Sequence, residues 1–130
     1  MRRMTNEEFA DKLVNLFPDK ASSLSEHFQD YGELLGHVFF AEEIGEPLIV
    51  LLRENKVIPT IVKYCSFIEE MWICGSEGVQ NIVDVTLLER LSDESDVWVR
   101  FGTYISDGFK AYINDIVINE NVMMWNVPRL

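Results

Sequence analysis

The chain has 130 residues, 48% of them hydrophobic, and its twenty-two acidic side chains outnumber eleven basic ones for a formal net charge of −11. That length fits one domain, residues 1–130, able to bury roughly two thirds of its unfolded surface, and the apolar content argues against an intrinsically disordered polyanion. The charge disfavours nucleic acid and anionic membrane as direct partners, because both repel a polyanion.

The first segment, Met1-Arg2-Arg3-Met4-Thr5-Asn6-Glu7-Glu8, turns acidic where a secretory signal would continue into an apolar core, so a cytoplasmic location is expected. Thr5 and Glu8 have the spacing of a capping box. Phe9, Leu13, Leu16 and Phe17 then recur at helical spacing until Pro18 stops or kinks the run. From Asp19 to Tyr31 the pattern weakens to Leu24, Phe28 and Tyr31, which predicts a short helix with His27 at its surface or boundary.

Gly32 breaks the chain, and Glu33 to Ile44 reads as the next helix, with His37 one turn after Glu33 as a helix-surface pair. Gly45-Glu46-Pro47 looks like punctuation, Gly45 closing one helix and Pro47 opening a short one that carries Leu48, Ile49, Leu51 and Leu52 and is closed by Glu54-Asn55-Lys56. Glu42, Glu43 and Glu46 cluster at this turn, where carboxylates at a helix C-terminus are electrostatically disfavoured.

The stretch from Val57 to Leu91 is apolar around more of its circumference than a surface helix needs. It reads as two helices folded back across Gly75-Ser76-Glu77-Gly78, with Gly75 as a C-cap and Ser76 as an N-cap. The first, Ile58 to Cys74, places Ile58, Ile61, Val62, Cys65, Ile68, Trp72 and Ile73 on one broad arc, extended by Tyr64, Phe67 and Met71. Glu69 projects within that arc, either partly buried and partnered or escaping at its edge. In the second, Val79, Ile82, Val83, Thr86 and Leu87 form the inner stripe, and Asn81 and Asp84 read as hydrogen-bonded supports. Cys65 and Cys74 would stand roughly 13 Å apart on a helix, beyond the about 7 Å a disulfide spans, so both read as core thiols.

Ser92-Asp93-Glu94-Ser95-Asp96 forms an acidic loop and a helix start. Val97, Trp98, Phe101, Tyr104 and Ile105 follow, with Gly102 as a weak spot or a place of close backbone approach. Beyond Ser106-Asp107-Gly108 a last helix carries Phe109, Tyr112, Ile113, Ile116 and Val117 and ends at Asn119-Glu120-Asn121. The apolar tail Val122 to Leu130 is expected to fold back onto the domain or to serve as a docking segment.

The fold expected is therefore all-α, about seven helices in antiparallel pairs. A shift of about 36 residues lays Ile49-Val50-Leu51-Leu52 over Val85-Thr86-Leu87-Leu88, and Glu33 over Glu69, as in a HEAT-like stack. Phe67-Ile68-Glu69-Glu70-Met71, the polar break, and Val79 to Leu91 together resemble a family of small acidic helical bacterial proteins of unknown function. In size and charge such proteins are similar to immunity proteins of bacterial polymorphic toxin systems, and that likeness implies a basic toxin domain as partner.

No GxSxG, P-loop, dinucleotide fingerprint or HExxH occurs, and no Cys/His spacing suggests zinc. No cofactor is expected. The leading expectation is a non-enzymatic protein-binding module that meets a basic protein through Glu42, Glu43, Glu46, Glu70, Asp93, Glu94 and Asp96. The alternative is a structural or homo-oligomerising protein associating through its aromatic C-terminal half. A metal-dependent enzyme would need Glu33, His37 and Glu69 to converge in one pocket.

Overall fold

The computed structural model describes residues 2–118 and 127–130, without the side chains of residues 116–118. It is all-α, with seven helical segments among the described residues. The first, α1, spans Asn6–Leu16 and opens on the expected capping box: the Thr5 hydroxyl accepts from the Glu8 amide and the Glu8 carboxylate accepts from the Thr5 amide, both at 3.2 Å. It buries Phe9, Ala10 and Leu13. A 3₁₀ turn at Pro18–Lys20 leads into α2, Ala21–Tyr31, which ends on Gly32 in the left-handed conformation at φ 73°.

The third helix departs from the sequence expectation. It starts at Gly36, leaving Glu33 in an exposed linker, and it does not break at Gly45. Gly36–Phe40, Ala41–Gly45 and Glu46–Glu54 run on as one helix, α3, residues 36–54, with a π turn in the middle. Gly45 is right-handed there, at φ −59°, and the Glu46 amide donates to Ala41 O, five residues back. Proline inside a regular helix loses one backbone bond and its ring clashes with the carbonyl four residues earlier. The wider π turn just ahead of Pro47 takes up that misfit, so local punctuation becomes a bulge instead of a break.

The fourth helix, α4, spans Ile58–Cys74, and α5 covers residues 77–92 with its own π turn at Val83–Leu87. The two π turns face each other, and Gly45 lies against Leu87 and the stem of Arg90, 3.7 Å from where its missing Cβ would stand. Next come α6, Ser95–Gly102, and α7, residues 107–118, whose last turns at Ile113–Ile118 are again π-helical. A HEAT-like repeat gains no support from this order: the 36-residue shift sets Glu33, in a linker, against Glu69, in mid-helix.

The hairpin of α4 and α5 is clasped by the chain's N-terminal segment. The Met4 amide donates to Cys74 O at 2.9 Å, and the Ser76 amide donates to Met4 O at 2.8 Å. Gly75 is extended, not left-handed, at φ −74° and ψ 151°. Space makes it glycine: a Cβ would lie 2.2 Å from Met71 O and 2.5 Å from Val79.

The buried arc of α4 is also rotated from its expected position. Ile61, Tyr64, Cys65, Phe67, Ile68 and Met71 are inside, whereas Ile58, Val62 and Ile73 are exposed. Aromatic residues of α1 and its C-cap pack against this arc, Phe9 meeting Phe67 edge-on at 5.8 Å and the cap residue Phe17 stacking on Tyr64 at 4.6 Å. Aromatic pairs of this kind bind beyond their buried area.

The C-terminal half turns its rings inward. Trp98, Phe101 and Phe109 are fully buried, and Trp72 stacks on Phe109 at 4.8 Å. The described end of the tail docks on them. The Trp98 indole donates to Pro128 O at 2.7 Å, and the Leu130 amide donates to the Asn114 side-chain oxygen at 2.7 Å. The Leu130 side chain packs where a Cβ on Gly102 would stand, so the close approach at Gly102 comes from a side chain and not from the backbone that was expected. The proposed helix end at Asn119-Glu120-Asn121 and tail residues 122–126 lie outside the described residues.

Candidate functional site

Charge distribution locates the site. Basic side chains are largely committed within the molecule: seven ion pairs form among the described residues. Arg100 instead donates to Leu52 O and Arg53 O at the end of α3, both at 2.8 Å, where a cation offsets the partial negative charge of the helix terminus. The surplus is carboxylate.

Of the seven expected contact residues, four are engaged internally as ties between segments. Glu46 pairs with Arg90, Glu70 with Lys12, Glu94 with Arg53 at 2.9 Å, and Glu43 with Lys20 at 3.5 Å. Glu42, Asp93 and Asp96 are exposed and take part in no ion pair among the described residues. Asp93 borders a shallow hollow over α5 with Val85, Thr86, Glu89 and Arg90. The structure thus splits the expected set into braces and open charges.

Glu42 and Glu43 meet two carboxylates that sequence reasoning passed over. Glu26 and Asp30, one turn apart on α2, join them around a hollow of about 180 Å³ between α2 and the π turn of α3. Tyr31 and Phe39 form aromatic wall, Ser23 stands at the rim, and His27 lines the interior. The i,i+4 acidic spacing of Glu26 and Asp30 was the available signal, since like charges so placed destabilise a helix without a compensating use.

His27 corrects the expectation of a surface residue: it is 5% exposed and is the one buried side chain of α2. The α2–α3 linker folds over it, and the Leu35 amide donates to its Nε2 at 2.9 Å. An imidazole nitrogen that accepts carries no proton, so the neutral ring holds its hydrogen on Nδ1. Nδ1 has no hydrogen-bond partner among the described residues. Phe39 meets the ring edge-on at 5.4 Å, and Tyr31 lies tilted at 4.7 Å.

The remaining polar candidates are held apart. His37 contacts the Thr86 hydroxyl at 2.6 Å instead of Glu33, which lies outside the helix. Glu69 is half-buried and accepts from the Ser106 amide at 2.8 Å, fastening α4 to the start of α7. His37 and Glu69 are therefore engaged in different places, Glu33 is exposed in the linker, and no group of His, Cys, Asp or Glu that could hold a metal ion occurs among the described residues. Asp84 supports α7 as expected, its carboxylate oxygens 2.8 and 2.7 Å from the Tyr112 hydroxyl, and burial raises its pKa. Asn81 is exposed and is not such a support. Burial, with Glu69 nearby, pushes the Cys65 thiol up to about 12, leaving it protonated. Cys74, expected in the core, is only half-buried.

Fold and site together define an all-helical domain with an acid-lined, aromatic-walled hollow. Residues 10–120 match the family described as Domain of unknown function (DUF7674), and the chain belongs to that family. No curated protein and no solved structure matches the chain. Among the described residues no helix is long and apolar enough to cross a membrane.

Proposed function

We propose that this chain is a non-enzymatic protein-binding module that engages a basic partner through the acidic face formed by α2 and the π turn of α3. The observation that carries the reading is the group of Glu26, Asp30 and Glu42 at one hollow, in no ion pair among the described residues, while Lys20 is taken up by Glu43 of the same hollow. Exposed Phe28 and Tyr31 stand beside these carboxylates on α2, and aromatic side chains are enriched at protein interfaces. Size and charge extend the proposal to an immunity-like role, in which a basic toxin domain is the partner neutralised inside the cell.

An acidic face acts on association rate more than on dissociation, and salt weakens it. Reversing Glu26, Asp30 and Glu42 to Lys should slow binding of an arginine- and lysine-rich peptide and flatten its salt dependence, as measured by stopped-flow fluorescence. Unchanged association across that series would refute the acidic-face reading. Self-association through the aromatic C-terminal half has less to work with, because Trp98, Phe101 and Phe109 are buried in the chain's own core.

A further inference from the structure

The outer face of α4 is apolar and open. Ile58, Val62 and Ile73 lie along it at helical spacing with Ser66 between them, and Leu16 of α1 shares a hollow with Val62. All four apolar side chains are more than a third exposed, Ile73 the most at 53%. The stripe runs for about 22 Å along the helix and has a hollow on either side. One, of about 290 Å³, lies toward α1 among Lys12, Leu16, Val62 and Lys63. The other, of about 210 Å³, lies among Glu69, Ile73, Cys74 and Tyr104. A ridge between two grooves has the shape that packs on another helix, and contiguous exposed apolar surface marks an interaction site.

Charge identifies the helix that fits. Lys63 is in no ion pair among the described residues, and its ammonium lies over the Phe17 ring, 5.9 Å from the centroid. Glu70, two turns further along the same side, gives one oxygen to Lys12 and keeps the other out of any hydrogen bond among the described residues. The helix thus carries an unpaired cation before Ser66 and an open carboxylate oxygen after it. A parallel copy would set Lys63 against Lys63. An antiparallel copy, turned about Ser66, sets each Lys63 against Glu70 of the other copy. On the opposite side of the stripe it lays Ile58 and Val62 over Ile73. Ser66 at the centre is small enough to let the two helices approach closely.

We propose that α4 docks on α4 of a second copy of this chain, antiparallel about Ser66, in a two-fold dimer. Such an interface is complementary to itself, and each of its contacts is made twice. It uses α4 and α1 and not the α2–α3 face, so it stands or falls independently of the acidic-face reading. The charge of −11 on each copy opposes association, so the dimer is a weak one.

Sedimentation of the full chain in about 0.15 M salt, where repulsion beyond about 8 Å is screened, tests it. Between about 1 and 300 μM a monomer should pass to a dimer, with Kd on the order of 10–100 μM. Ile73→Ser should weaken the dimer about tenfold, whereas Val99→Ser, at a similarly exposed position of α6, should change it less than about twofold. Lys63→Glu and Glu70→Lys should each leave a monomer up to about 300 μM, because each creates two like-charged contacts. An equimolar mixture of those two variants should dimerise again, since the reversed charges then meet their opposites, and that recovery requires both to be folded. A chain that stays monomeric up to about 300 μM overturns the proposal and leaves the stripe to a different protein. A dimer that survives both charge reversals, or a mixture that stays monomeric, overturns the α4 contact.

Discussion

Helices α2 and α4 carry aromatic residues at comparable spacing, yet α2 buries only His27 while α4 buries Ile61, Tyr64, Cys65, Phe67, Ile68 and Met71. Around α4 the acidic groups hold structure together, Glu69 accepting from Ser106 and Glu70 pairing with Lys12. On α2, Glu26 and Asp30 tie no segments together among the described residues and line the hollow instead. Where apolar burial fixes a helix, its carboxylates become braces. Where burial is slight, the helix is free to keep unneutralised charge, and the proposed binding face lies there.

The sharpest way to break this contrast is to make the same deletion on both helices. Phe67 is 2% exposed and Phe28 is 43% exposed. Phe67→Ala should lose about 3–5 kcal/mol of stability through lost transfer and an unfilled cavity, whereas Phe28→Ala should stay within about 0.5 kcal/mol. Urea unfolding of both variants measures the difference. A cost at Phe28 as large as that at Phe67 would mean that α2 is part of the packed core and not a face held open.

A middle-sized effect is expected at His27, the single point where α2 enters the interior. His27→Phe preserves a ring of similar size but leaves the Leu35 amide without its acceptor, which should cost about 1–3 kcal/mol. His27→Gln retains a side-chain acceptor and should recover part of that loss. Unfolding midpoints of the pair separate the hydrogen bond from ring packing, and equal stability of the two variants would show that the bond contributes little.

Much of this was legible in the sequence where the signal is local. The capping box at Thr5 and Glu8, the α4–α5 hairpin, and the all-α class follow from side-chain spacing and cap chemistry. Legibility failed where a distant segment decides. Gly45 and Pro47 obey the local rules for a helix break, yet packing of α3 against α5 carries the helix through as a π turn. Gly75 closes α4 as expected, but nothing nearby in sequence reveals that residue 4 pairs with it and holds it extended. The acidic site was half visible: Glu42 and Glu43 stood out as a cluster, but their partners Glu26 and Asp30 arrive from a helix whose apolar pattern is weak. Nor does sequence distinguish a carboxylate that braces, such as Glu46, from one that stays open, such as Glu42, since that depends on where Arg90 and Lys20 reach.

The smallest expected effects concern two carboxylates whose environments pull in opposite directions. Glu8 is held down to about 2 by its hydrogen bonds with the Arg2 guanidinium and the Thr5 backbone. Its contribution to stability is thus present above the ordinary glutamate value of 4.5 and lost as pH falls toward about 2. Asp84 is raised from 3.8 by burial, partly offset by the Tyr112 hydroxyl. The folded state binds its proton more tightly than the unfolded chain does, so its contribution is full below the ordinary aspartate value and declines as pH rises through the folded pKa. Glu8→Gln should therefore remove part of the acid-side loss of stability, and salt should shrink that effect because the Arg2–Glu8 pair is solvent-exposed. Asp84→Asn should remove a decline on the other side, beginning near pH 3.8 and extending upward, while the Asn oxygen still accepts from Tyr112. Urea midpoints measured across that range for the parent and both variants give the two slopes. A parent curve to which Asp84 adds stability with rising pH would contradict its burial and place it with the open carboxylates of α2.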